Sequence, residues 1–492
     1  MKQQHLLIAG ILLLATACSK EGYYNYLPKA AGQDAVYESD PVSPPQSGDS
    51  FDEIKENPFV KVADEPQSSF SVDADGAAYA YMRRCITQGF LPQRNAVRIE
   101  EYLNYFTFNY PEPKGEETLA INGEIGPCPW NAGHSLLRLG LKGKSLQESE
   151  IPAANFILLV DVSGSMSGSD RIDLLKSGLV TMVDYMRPQD RMAIITYSGD
   201  VQKLLESTLL SQGREQIKSA IRGLVASGST AGGTAMKMAY EEAAAHYIEG
   251  GNNRIIMCTD GDFNVGVSST DALVEMVESY QEKGIYLSIM GFGQGNFQDS
   301  RMENLSNHGN GTYTYIDSEE EMMKVFVQER SHFYSVANDT KCQVRFNPEV
   351  VESYRLIGYE NRVMTAEEFE DSKKDAGEIG AGQTVTALYE LVLKEGLEEG
   401  FYVGDFEARY KYSLKDAESH SLTESIGGTC EISPEFTFAA GVAAYGLVLL
   451  DSEYKADATL SMAKELVAGA AGEDSFRKQL VSLIEKAGTR SK

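Results

Sequence analysis

The chain has 492 residues, 42% of them hydrophobic and 24% charged, with a formal net charge of −28. That length exceeds what one hydrophobic core serves, so roughly two to four domains are expected. A strongly acidic chain with no basic run of five or more excludes nucleic acid phosphates and anionic lipid headgroups as partners, because binding them needs clustered Lys and Arg.

The N-terminus reads as an export signal. Lys2 supplies a positive start, and Leu6 to Leu14 form an apolar stretch too short to span a bilayer. Ala15, Thr16 and Ala17 then precede Cys18. The run L-L-A-T-A-C resembles a bacterial lipobox, although Ala15 stands where Leu is preferred. The resemblance implies a signal peptide over residues 1–18 and lipidation of Cys18. An ordinary signal peptide with a chance cysteine is the alternative. A lipid anchor holds a protein to a membrane without a spanning helix. The expected location is the bacterial cell envelope, with the outer membrane favoured over the inner and a periplasmic or surface-exposed body. Residues 19–55 are rich in Pro, Ser, Gly and acid and read as a flexible linker.

Residues 56–150 change character. Helices are predicted over Ala77 to Gln88 and Ala96 to Tyr105, where Val97, Ile99, Tyr102, Leu103 and Phe106 recur at helical spacing. Strands follow within 118–143, and S-L-L-R-L-G-L-K alternates as a half-buried antiparallel strand would. From 154 to 335 apolar strands alternate with helical stripes. F-I-L-L-V-D-V (156–162), M-A-I-I-T-Y (192–197), R-I-I-M-C-T-D (254–260), I-Y-L-S-I-M-G-F-G (285–293) and T-Y-T-Y-I (312–316) are separated by helical patterns, the last of them running from Ser318 to about His332. Such alternation predicts a doubly wound, Rossmann-like α/β domain with a mainly parallel sheet covered on both faces. Residues 336–430 read as a β-rich, sandwich-like region. Residues 431–492 read as helical, with Phe436 to Leu450 apolar almost all round, a buried helix too short for a membrane span.

In an open parallel sheet, ligands bind beyond the carboxyl ends of the strands. Three oxygen-rich loops fall there. D-V-S-G-S carries Asp161, Ser163 and Ser165, G-S-T-A-G-G-T-A carries Thr230, and T-D-G-D carries Asp260. Hard cations take oxygen ligands. If the direct ligands are the neutral hydroxyls of Ser163, Ser165 and Thr230, the cation keeps its electrophilicity, with Asp161 and Asp260 acting through water. D-x-S-x-S alone is a common loop pattern; the three loops together, in that order, are specific.

These loops resemble the metal-ion-dependent adhesion site of von Willebrand factor type A domains, with Asp161, Ser163, Ser165, Thr230 and Asp260 matching in order. The segments F-S-V-D-A-D-G-A-A-Y, L-P-Q-R-N-A-V-R-I-E-E-Y-L-N-Y-F, T-D-G-D-F-N-V-G, R-L-I-G-Y-E-N-R and K-K-D-A-G-E-I-G-A-G together resemble bacterial YfbK-like lipoproteins over about residues 57–490. The resemblance implies Mg²⁺ or Mn²⁺ at the site, with Ca²⁺ the weaker candidate. It also implies a protein partner that presents an acidic residue to the ion, and a last helix (318–332) that shifts on binding. The expected function is cation-dependent protein binding at the cell envelope. The alternative is a structural or assembly factor of the envelope with a vestigial metal site.

Enzyme motifs are missing. No H-E-x-x-H, G-x-S-x-G or G-x-x-x-x-G-K-[ST] pattern occurs, and Asp161 lacks a second Asp two residues on. D-A-D-G at 73–76 lacks the rest of a calcium loop. Asp262, beside the site, reads as a surface carboxylate. After Cys18 the cysteines are Cys85, Cys128, Cys258, Cys342 and Cys430, an odd number without C-x-x-C; Cys258 reads as a buried apolar residue.

Overall fold

Strand and helix assignments come from a computed structural model that describes residues 51–228, 233–261, 270–293, 299–398, 400–428 and 431–489. Cys18, Thr230, Asp262 and Cys430 lie outside these described residues, as do the signal peptide and nearly all of the linker.

In chain order the first elements are β1 (Val60–Lys61), β2 (Gln67–Ser71), α1 (Ala77–Gln88), α2 (Ile99–Asn104), β3 (Leu119–Pro127) and β4 (Ser135–Gly143). The α/β region then runs β5 (Ala154–Asp161), α3 (Ile172–Tyr185), β6 (Arg191–Tyr197), β7 (Val201–Leu209), α4 (Leu210–Arg222), α5 (Gly233–Ala245), β8 (Asn252–Thr259), α6 (Thr270–Gln281), β9 (Ile285–Phe292), α7 (Asp299–His308), β10 (Tyr313–Ile316) and α8 (Glu319–Met323). The remainder comprises β11 (Ser335–Phe346), β12 (Val351–Ile357), β13 (Val363–Met364), α9 (Ala366–Glu370), β14 (Gly377–Gly380), β15 (Thr384–Leu393), β16 (Tyr402–Lys411), β17 (His420–Gly427), α10 (Pro434–Leu449), α11 (Leu460–Ala470) and α12 (Ser475–Gly488).

The α/β sheet has the order β10-β9-β8-β5-β6-β7. Its strands are parallel except β7, which pairs antiparallel with β6 at the edge. Side chains alternate across a strand. Phe156, Leu158 and Val160 of β5 therefore face one core with α3 and α4, while Ile157 and Leu159 face the other. Both faces are covered, as the continuous apolar runs require. Strand β7 went unread in the sequence because V-Q-K-L-L-E-S-T-L keeps no period of two. The predicted last helix is graded: α8 runs into a π-helical turn at Lys324–Gln328 and a 3₁₀ turn at Arg330–Phe333.

The segments 56–150 and 336–430, distant in sequence, share two antiparallel sheets. One has the order β1-β12-β15-β4-β3 and the other β13-β2-β11-β16-β17. Phe70, Leu137, Leu139, Leu141, Val344, Tyr389 and Phe406 form the core of this sandwich. β4 is not half-buried as its alternation suggests. It sits between β15 and β3 and is buried along nearly its whole length. Leu136 faces Phe436 of α10 in one core, while Leu137, Leu139 and Leu141 face the sandwich. Its Arg138 is paired inside, 2.9 Å from Glu124 and over the Tyr110 ring. After α10 the helical C-terminal region is two helices, broken at Gly472 (φ +57) and restarted by an Asp474 cap. Among the described residues no helix is long and apolar enough to cross a membrane. Cys85, Cys128, Cys258 and Cys342 are buried and not disulfide-bonded.

Helix α1 joins these parts. Every residue from Ala77 to Ile86 is buried. Ala77, Ala80, Tyr81 and Cys85 complete the β5–β10 core on one side. Ala78, Tyr79, Met82 and Ile86 enter the core made with α2, α10, α11 and α12 on the other. A helix shared by two cores predicts one cooperative transition. Trp130, the chain's sole tryptophan, is fully buried in the helical core, whereas far-ultraviolet circular dichroism sums the helices and strands of the whole chain. Urea titrations followed by both signals are expected to give the same midpoint; two separated midpoints would refute the shared-core account.

Candidate metal centre

Asp161 ends β5 and Thr259 ends β8, the neighbouring parallel strand, in a register that sets Val160 beside Cys258. Asp161 and Asp260 therefore emerge side by side at the carboxyl edge of the sheet. Asp161 is fully buried and Asp260 nearly so. After Asp161 the chain turns sharply. The Asp161 Oδ1 accepts the Ser163 N–H at 2.8 Å, an Asx-type turn that closes the loop on itself. Oδ2 accepts the Thr259 hydroxyl at 3.3 Å, and Thr259 Oγ1 in turn accepts the Gly261 N–H at 3.2 Å. Gly261 has φ +96, which suits glycine.

This turn sets the Ser163 and Ser165 hydroxyls 2.8 Å apart, with Ser163 buried and Ser165 half-buried. The next loop is tied to the same place. Ser227 N–H donates to the Val162 carbonyl at 2.7 Å, and Gly164 N–H donates to the Gly228 carbonyl at 3.0 Å. The Gly228 end of that loop is thereby held against the serines, two residues before Thr230. Asp161, Ser163, Ser165 and Asp260 thus stand at one edge of the sheet, and Thr230 lies outside the described residues.

The donor chemistry fits a hard cation. Metal–oxygen bonds of about 2.1 Å put neighbouring ligands of an octahedron about 3 Å apart, close to the spacing of the two serine hydroxyls. Burial, with the Asp260 charge adding to it, pushes the Asp161 carboxyl up to about 6. Two buried carboxylates facing one another are what a cation would relieve. Among the described residues no group of three or more His, Cys, Asp or Glu side chains could hold a metal ion; a centre here depends on hydroxyls. Thr259 was not singled out in the sequence, although it opens T-D-G-D. Arg171, whose guanidinium donates to the Ser165 carbonyl at 2.9 Å, carried no sequence signal.

Comparisons with known proteins place the chain by family. Residues 155–329 match the family described as von Willebrand factor type A domain, residues 331–489 match "Uncharacterized protein YfbK, C-terminal", and residues 45–138 match a family described as von Willebrand factor. The protein YfbK of Escherichia coli (strain K12) is 37% identical over 466 residues, which cover 89% of this chain and 80% of YfbK. Inter-alpha-trypsin inhibitor heavy chain H3 of Pongo abelii is 28% identical over 51% of this chain and 30% of its own length. A solved von Willebrand factor type A structure from Catenulispora acidiphila aligns at TM-score 0.43 and 14% identity, covering 75% of this chain and 90% of that one.

The Thr259 hydroxyl serves both Asp161 and the Gly261 N–H from a fully buried position. Thr259→Val keeps the volume and leaves both partners short of a hydrogen bond, so it is expected to lower stability by about 1–3 kcal/mol. Thr259→Ser is expected to restore most of it. Urea unfolding of the two variants checks this, and a neutral Thr259→Val would remove the hydroxyl from the account of the loop.

Proposed function

Because the chain belongs to the YfbK family of von Willebrand factor type A proteins, we propose that it is a cation-dependent protein-binding module of the bacterial cell envelope, anchored through Cys18. A von Willebrand factor type A domain typically mediates protein–protein interaction. The proposal makes that interaction depend on Mg²⁺ or Mn²⁺ and places no catalytic step in the chain.

The observation that supports it is the 2.8 Å pair of serine hydroxyls in front of Asp161 and Asp260. In this reading Ser163, Ser165 and Thr230 hold the ion directly. Both oxygens of Asp161 already accept protein hydrogen bonds, so its part is to fix the loop and to bind the ion through water. Asp260 balances the charge from the neighbouring strand. Neutral ligands leave the ion most of its positive charge, and the chemistry it supplies when bound is an acceptor position for a carboxylate from a protein partner. The net charge of −28 draws cations toward such a site.

Calorimetric titration of the full chain with MgCl₂ and MnCl₂ is expected to show one saturable site, lost in a Ser163→Ala, Ser165→Ala double variant and weakened in Thr230→Ala. Heats that the double variant reproduces would locate cation uptake elsewhere and leave a structural role in the envelope as the better reading.

A further inference from the structure

The two arginines of α1, Arg83 and Arg84, are adjacent in sequence and reach different parts of the α/β domain. Arg83 grips both oxygens of Asp317, at 2.5 and 2.8 Å, and Glu321 at 2.7 Å, at the start of the last helix. Arg84 reaches the other way. One nitrogen bonds Asp170 Oδ2 at 2.8 Å, in the loop five residues past Ser165. Another bonds the Gly293 carbonyl at 3.0 Å, just past the end of β9, and the Tyr315 hydroxyl. The Tyr315 hydroxyl donates to the same Gly293 carbonyl at 2.5 Å.

Gly293 also packs against Arg171. A Cβ built on Gly293 would fall 2.0 Å from Arg171 Nε, so only glycine leaves room for that guanidinium. Arg171 in turn holds the Ser165 carbonyl. The loop that carries Ser163 and Ser165 is therefore tied to the end of β9 by two guanidiniums. Arg171 comes from the loop itself. Arg84 comes from a helix more than sixty residues before β5, and it is 91% buried by side-chain area while Asp170 is half exposed.

We propose that Arg84 is a positioning residue of the candidate cation site: from outside residues 154–335, it fixes the Ser163–Asp170 loop against the end of β9. This rests on reading that loop as a cation site. Arg84 touches neither hydroxyl. It acts through Asp170 and Gly293, as the partners behind metal ligands generally do, and loss of such partners typically weakens metal binding 10–100-fold. The arginine fork is needed because it spans a carboxylate and a carbonyl at once, which a lysine ammonium cannot do in one rigid geometry.

The test compares Arg84→Met, Arg84→Lys and Arg83→Met in the full chain. Arg83 is also buried and grips two carboxylates, Asp317 and Glu321, away from the Ser163–Asp170 loop, so it reports the cost of breaking buried ion pairs on the same helix. Mn²⁺ and Mg²⁺ alone are the probes, read by calorimetry, with urea unfolding for stability. Arg84→Met is expected to weaken Mn²⁺ binding about tenfold or more, with Arg84→Lys between it and the wild type. Arg83→Met is expected to lose stability and keep the wild-type Kd. Unchanged binding in Arg84→Met, or equal weakening in both Met variants, overturns the proposal. If the wild type itself takes up no cation, the cation reading fails separately. Hydrogen exchange of the amides from 163 to 171 then decides the positioning claim: faster exchange in Arg84→Met than in Arg83→Met upholds it, and equal exchange overturns it.

Discussion

Burial of α1 on every side is the constraint from which the rest of the architecture follows. From Ala77 to Ile86 no residue faces water. One stripe closes the core of the α/β sheet and the other closes the helical core. Removing α1 would open both. Arginines on such a helix must find their partners inside protein, because an unpaired buried charge costs several kcal/mol. Arg83 and Arg84 lie where the two stripes meet, and their carboxylates come from the α/β domain. The helix that fills space between regions thus also carries the polar contacts that register them. The von Willebrand factor type A domain here is one half of an interface whose other half precedes it in sequence.

The edge of the sheet shows the same economy of parts. Asp161 has its two oxygens committed to Ser163 and Thr259, so the turn after β5 is rigid before any ligand arrives. The serines inherit their spacing from that turn. Ser227 and Gly228 bring the next loop to the same point through two backbone hydrogen bonds. Few side chains are involved, and the turn from Asp161 to Ser163 and Ser165 is local, which is why D-V-S-G-S stood out in a chain of 492 while its ties to Thr259 and Gly228 did not.

Legibility followed the range of the interactions. The parallel strands stood out because strands buried on both faces leave unbroken apolar runs, as in F-I-L-L-V-D-V and R-I-I-M-C-T-D. Helix α1 was bounded at Ala77 and Gln88 in the sequence and is found there. The sandwich was visible as strands but not as sheets. Nothing local in Gln67–Ser71 says that it pairs with Lys341–Arg345. Strand β4 alternates like a half-buried strand yet is buried on both faces, because Arg138 and Lys142 find Glu124 and the Gly382 carbonyl in the interior. The grip of Arg84 on Asp170 had no signal at all, since a charged residue in a helix usually faces water.

The pairing of the two ends of the chain also sets an order in time. Asn57 bonds the Gly358 carbonyl across 301 positions, and Glu56 meets Ser452 across 396. β2 cannot complete its sheet, nor α1 its second core, until nearly the whole polypeptide has been made. Contacts of such separation are slow to form, and their partners wait exposed in the meantime. A ribosome delivering this chain from its N-terminus delivers the first segment of the sandwich long before the strands that hold it, so the body of the protein closes late, as a clasp does.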